Sequence, residues 1–135
     1  MGFILEHVEY PEGILRQYKK FLKNETGRLF ITVPNARGLH RRIGYEAGLL
    51  EDIYAFNAYD KKAGHKRYYD LETIQSLVER VGLHIHRCEG IFLKPITTAQ
   101  INKLELPGEV LVGMLKVGVE YPELSNYILI EAGIK

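Results

Sequence analysis

The chain has 135 residues, is 46% hydrophobic and 26% charged, and carries a formal net charge of +1. That length buries roughly two-thirds of the unfolded surface in one domain, and the composition excludes a disordered chain. The near-neutral charge gives no general pull toward nucleic acid or membrane, the one cysteine excludes an internal disulfide framework and fits a reducing, cytoplasmic setting, and no apolar run approaches the roughly 18 residues that span a bilayer.

Met1 to Leu5 is a short apolar run, the pattern of a strand buried on both faces. Pro11 suits a first helical turn, and Ile14, Leu15, Tyr18, Phe21 and Leu22 recur at helical spacing until Asn24-Glu25-Thr26-Gly27 stops the helix. Lys19, Lys20 and Lys23 fall late in it, where cations suit the negative end of the helix dipole. Leu29 to Val33 is a β-rich strand ended by Pro34-Asn35. Strand, helix and strand with short connections predict a right-handed βαβ unit in a parallel sheet. Ligands bind past the carboxyl ends of such strands, which singles out Glu6-His7-Val8-Glu9 and Pro34-Asn35-Ala36-Arg37.

Residues 37–69 are rich in Arg, Lys, Tyr and Gly and predict a short helix from Leu39 to Leu50 within a long insertion of the kind that is usually functional or mobile. Asp70 is a good N-cap for a helix whose buried stripe is Leu71, Ile74, Leu77, Val78 and Val81, with Gly82 as its left-handed stop. Leu83 to Phe92 reads as a strand. Thr97 or Thr98 caps a short helix through Leu104, and Pro107-Gly108 starts another with Val110, Leu111, Met114, Leu115 and Val117 on its apolar side, weakened by Gly113 and Gly118. Tyr127 to Glu131 is a last strand.

In chain order the pieces are "LEHV", a Pro-led helix, a strand ending "VPN", "LHRRIG", "GHKRYYDLETI", a helix, "GL", "GIFLKP" and "VEYPELSNYILIEAG". Together they resemble the C-terminal half of a class I S-adenosylmethionine-dependent methyltransferase, of the group that includes ubiquinone-type and other small-molecule methyltransferases. The likeness covers nearly the whole chain and is clearest from Leu5 to Pro95. It implies an α/β fold: a Rossmann-like sheet of seven strands in the order 3-2-1-4-5-7-6, the last antiparallel. Phe3-Ile4-Leu5 would be the fourth strand, Leu29 to Val33 the fifth, Leu83 to Phe92 the sixth and Tyr127 to Glu131 the seventh. Residues 1–135 would then be a single, incomplete methyltransferase-like domain with strands corresponding to 4-5-7-6, and residues 37–69 a lid-like insertion over the acceptor site. The first three strands have no counterpart, nor has the Gly-rich loop that approaches the cofactor, because no G-x-G follows a predicted strand.

The resemblance implies S-adenosylmethionine as cofactor, with Glu6 and His7 beside its methionine end, and methyl transfer to a small-molecule acceptor by in-line displacement. His7 and His65 are the candidate general bases, since a neutral imidazole accepts a proton near pH 7. The plainer reading of Glu6-His7 is a loop whose carboxylate caps the next helix. Asn35, His40, Arg41, Arg42, Arg67 and Tyr68 are candidate acceptor-binding residues; arginine forks suit a carboxylate or phosphate. Asn35 alternatively shapes a turn, and the basic residues form a solvated face with tyrosines beneath it. Interleaved Glu46, Glu51, Asp52 and Asp60 argue against nucleic acid. His84 and His86 share a strand face, as two metal ligands do, but no third ligand is near them in sequence, so no metal is expected. Cys88 reads as packing.

The alternative to an active enzyme is a non-catalytic half-domain that pairs with itself or with a complementing chain. An uncovered fourth-strand edge is a template for such pairing, and a homodimer joined there is the expected form.

Overall fold

A computed structural model describes all 135 residues. Its elements are α1 (Pro11–Lys19), β1 (Leu29–Pro34), α2 (Leu39–Glu46), α3 (Ala58–Ala63), α4 (Leu71–Arg80), β2 (His84–Ile91), α5 (Thr98–Lys103), α6 (Gly108–Glu120) and β3 (Tyr127–Gly133). The three strands form one sheet in the order β1-β3-β2. β3 runs antiparallel to both neighbours, in register from Leu29 opposite Ala132 to Pro34 opposite Tyr127 on one side and, on the other, from His84 opposite Gly133 to Ile91 opposite Tyr127 with a bulge at His86 between Ile85 and Arg87. The arrangement is mixed α/β, with the last strand antiparallel between the other two.

The expected strand at Phe3-Ile4-Leu5 does not form. Residues 1–3 make three bonds to the β1 backbone, the Met1 amino group to the Phe30 carbonyl, Phe3 N–H to the Thr32 carbonyl and Thr32 N–H to the Met1 carbonyl, and pair in parallel at Gly2 and Thr32 alone. The chain then leaves the extended region: Phe3 has φ +53° and the His7 N–H closes a turn onto the Ile4 carbonyl. The parallel βαβ unit is thereby reduced to one bridge, and the sheet has three strands where four were expected.

Alternation explains the core. In β1 the residues Leu29, Ile31 and Val33 point to one face and are buried, while Phe30 is exposed on the other. Ile128, Ile130 and Ala132 of β3 continue that buried face, and α1 and α4 cover it with Leu15, Ile74, Leu77 and Val78. Each fully buried Val, Leu or Ile among them contributes about 1.5–3 kcal/mol. Leu5 joins the same cluster, which fixes the turn that follows it.

Helix ends follow the sequence rules closely. Asp70 caps α4 in a reciprocal box with Thr73, and Gly82 takes φ +74° just beyond its end. Thr97 and Gln100 form the same box on α5. The α1 helix ends at Lys19, before Phe21 and Leu22 of its apolar stripe; Phe21 beyond it is exposed, and so is Tyr18 in its last turn. Lys19 does not serve its own helix end: its Nζ donates to the Val81 and Gly82 carbonyls at 3.1 and 2.9 Å and caps α4. Within residues 37–69, α2 stops at Glu46 rather than Leu50, and α3, capped by Asn57 and Asp60, was not foreseen.

α6 lies against β2 on the other sheet face. A Cβ on Gly118 would stand 2.8 Å from the Phe92 N and 2.9 Å from the Leu93 N, so the contact exists because this helix position has no side chain. Cys88 is half-buried on β2, and burial pushes its thiol up to about 11.

Candidate functional site

A cavity of about 770 Å³ opens where β1 and β2 end and β3 begins. Its walls come from five separated stretches: the turn at Glu6-His7, Pro34-Asn35 after β1, His40 and Arg41 on α2, Asp60, His65 and Tyr68 in and after α3, and Lys94 after β2. Short connections and strand alternation deliver these side chains to one sheet edge, where a ligand is expected in an α/β protein.

Glu6 is 1% exposed, and neither carboxylate oxygen has a hydrogen-bond partner. Burial raises its pKa; its own backbone N–H and the neighbouring His7 and His65 offset this only in part. His7 Nδ1 lies 3.3 Å from the Gly64 carbonyl. A carbonyl only accepts, so Nδ1 carries the proton and the Nε2 lone pair is free. That Nε2 lies 3.8 Å from Glu6 Oε1. The His65 ring meets the His7 ring edge-on at 4.7 Å between centroids. His65 Nδ1 is 3.3 Å from Asp60 Oδ1, an ion-pair distance without the alignment of a hydrogen bond.

The other wall is cationic. Lys94 is 5% exposed and donates to Thr98 Oγ1 at 2.6 Å; burial lowers its pKa. His40 is held down to about 4 by burial first, then by Lys94 and Arg41, so it is neutral at pH 7, and its Nδ1 has no partner.

Of the residues singled out in the sequence, Glu6, His7, Asn35, His40, Arg41, His65 and Tyr68 line this cavity. Asn35 Nδ2 is occupied by the Pro122, Glu123 and Ser125 carbonyls and its Oδ1 by the Arg37 N–H, so it locks the loop that leads into β3. Arg41 is buried and committed: its Nε donates to the Ala36 carbonyl, Nη2 to the Ile53 and Ala55 carbonyls and Nη1 to the Tyr68 hydroxyl, whose ring it also overlies at 4.4 Å. The Tyr68 hydroxyl donates to Asp60 Oδ2 at 2.9 Å, and burial raises its pKa. Arg42 faces outward beside Arg37. Arg67 lies behind the turn, donating to the Leu5, Val8 and Glu9 carbonyls, and Lys66 pairs with Glu9. The insertion is thus clamped onto Leu5–Glu9. His84 and His86 are exposed on β2, away from this cavity.

Two residues central to the cavity were not picked from the sequence. Asp60 orients His65 and Tyr68, and Lys94 supplies the buried charge. Lys94 stands just past a strand end, as Asn35 does, and that position was its available signal.

Fold and cavity together define an α/β protein with an acid, imidazoles and a buried cation at its strand ends. The methyltransferase-domain family profile matches residues 1–87, and the chain belongs to that family. An S-adenosylmethionine-dependent methyltransferase from Mesorhizobium loti is similar in structure, with a TM-score of 0.54 and 16% identity over 97% of this chain. The chain spans 58% of that protein's length. No curated protein matches significantly.

The family implies S-adenosylmethionine, and the residues here do not form its cradle. β1 runs into Pro34-Asn35 and β2 into Phe92-Leu93-Lys94. Gly38, in the turn from β1 to α2, is closed over: a Cβ there would meet the Ser125 carbonyl at 3.2 Å. No Gly-rich, strand-to-helix turn in this chain presents open backbone N–H groups to a ligand.

Proposed function

We propose that this chain is the acceptor-side portion of a class I S-adenosylmethionine-dependent methyltransferase and receives a small-molecule acceptor in the cavity at its strand ends. The convergence of Glu6, His7, His65 and Lys94 on that cavity carries the reading. Four ionisable groups from three separated stretches, two of them nearly fully buried, make up a site and not a solvated face. His7 Nε2 is positioned to take the acceptor's proton, and Lys94 to hold an anionic group on it. Arg41 supports the wall.

The complementary part of the reading is that cofactor binding needs a second polypeptide segment carrying the Gly-rich turn. The closed space at Gly38 favours it. Calorimetry with S-adenosylhomocysteine tests both. We expect no binding by the chain alone and binding once the Gly-rich half of a methyltransferase of this family is added. Micromolar binding by the chain alone would refute the half-domain reading. Silence in both experiments would refute the methyltransferase reading.

A further inference from the structure

We propose that Glu6, His7 and His65 form a divalent-metal site of the zinc class at the base of the cavity. One ligand atom from each lies within 4.8 Å of the other two. A tetrahedral ion with bonds of about 2.1 Å has its ligands roughly 3.4 Å apart. Closing from 4.8 Å to that spacing takes side-chain rotation of a little over an ångström, which leaves the backbone in place.

Three further observations point to a cation. Both oxygens of Glu6 are buried without a donor, a costly state for a carboxylate that a cation relieves directly. The His7 tautomer is set by the Gly64 carbonyl, which leaves Nε2 as a free lone pair on the Glu6 side. His65 is backed by the Asp60 carboxylate at 3.3 Å, and Asp60 is itself held by the Asn57 N–H and the Tyr68 hydroxyl. A carbonyl behind one imidazole and a carboxylate behind the other is how metal-bound histidines are commonly oriented.

Two nitrogens and one carboxylate select zinc-like ions over magnesium, which prefers oxygen ligands and keeps its water. Three protein ligands leave at least one position open, and it faces the cavity that also holds Lys94 and Tyr68. The ion would also tie the Glu6-His7 turn to the insertion at His65, reinforcing the clamp made by Arg67. A bound ion takes the same His7 Nε2 lone pair that proton acceptance would use, so the metal-bound chain and a chain with His7 as base are exclusive states; the metal site is read by binding alone.

The test is zinc competition against a chromophoric chelator, using the full chain. One zinc per chain is expected, with magnesium failing to displace it. Glu6→Gln and His65→Ala should each weaken binding by 10- to 100-fold, whereas the paired His84→Ala and His86→Ala changes on the exposed face of β2 should not. Circular dichroism checks that the variants fold. Should either fail, the ligand-field absorption of the unmutated chain loaded with cobalt(II) reports two nitrogens and an oxygen without any substitution. Loss of binding on removing His84 and His86, unchanged affinity in Glu6→Gln, or no zinc bound at micromolar concentration would each overturn the proposal.

Discussion

His40 and Arg41 are adjacent in the sequence and meet opposite fates. Arg41 is buried and every nitrogen of its guanidinium is engaged. His40 is partly buried and its Nδ1 has no partner. The sequence marked both as basic residues of one motif; it did not show that one props the wall and the other faces a cation. That distinction depends on Lys94, which lies 54 positions further along the chain than His40. Its consequence is a pH effect. The folded chain holds His40 at about 4, while the unfolded chain titrates near 6.5. Between those values the unfolded state binds a proton that the folded state refuses, so stability rises with pH across this window and is lost on acidification. The limit is on the order of 3 kcal/mol. Glu6, whose carboxyl is raised, works in the opposite sense, so the total slope is a difference. Urea unfolding at several pH values between 4 and 7 should therefore show a shallower acid limb in His40→Gln than in the native chain. Parallel curves would remove His40 as a source of acid sensitivity.

At the scale of elements, the caps of α4 and α5 were legible because the signal is local and an apolar stripe follows it, whereas the equally local Asn57–Asp60 box of α3 precedes no such stripe and was missed. Asp70 with Thr73, and Thr97 with Gln100, lie three residues apart and need no distant partner. The first strand was not legible for the converse reason. An apolar run becomes a strand only when neighbours complete its ladder, and residues 1–3 have β1 on one side alone. The two interior glycines of α6, Gly113 and Gly118, show the same divide. Both weaken a helix by propensity, yet they differ in the fold. Gly113 has nothing within 4 Å of where a Cβ would sit, so Gly113→Ala should stabilise by about 0.5–1 kcal/mol. Gly118 backs onto the Phe92 and Leu93 N atoms and Ser125 Oγ. There the same gain is outweighed by overpacking of roughly 1–3 kcal/mol or more against backbone that cannot rotate away. Thermal melts of the two variants should move in opposite directions. A rise in both would mean that α6 is not seated on β2 as described.

For the whole molecule, the surface area argues that folding leaves too much uncovered. The chain exposes 8213 Å², against roughly 7,200 Å² expected for a compact monomer of 15.5 kDa. The excess is apolar in places: Phe3 and Phe30 are 45% and 47% exposed near the open edge beside β1, and α6 exposes Val112, Leu115 and Val119 along one side. The edge is also chemically unfinished. Met1 C=O and Phe3 N–H point at β1, so the Gly2 N–H and C=O point outward, where a further strand would pair. We expect the chain to associate through that edge, with itself or with the segment that supplies the Gly-rich turn. Sedimentation equilibrium should give an average mass above 15.5 kDa that rises with concentration. Gly2→Pro removes the outward N–H and should lower that mass, whereas Val112→Glu on α6 should leave it unchanged. A reversed pattern would assign association to the helix face. A concentration-independent monomer that also ignores an added Gly-rich half would mean the edge is satisfied as it stands, and the half-domain reading would fall with it.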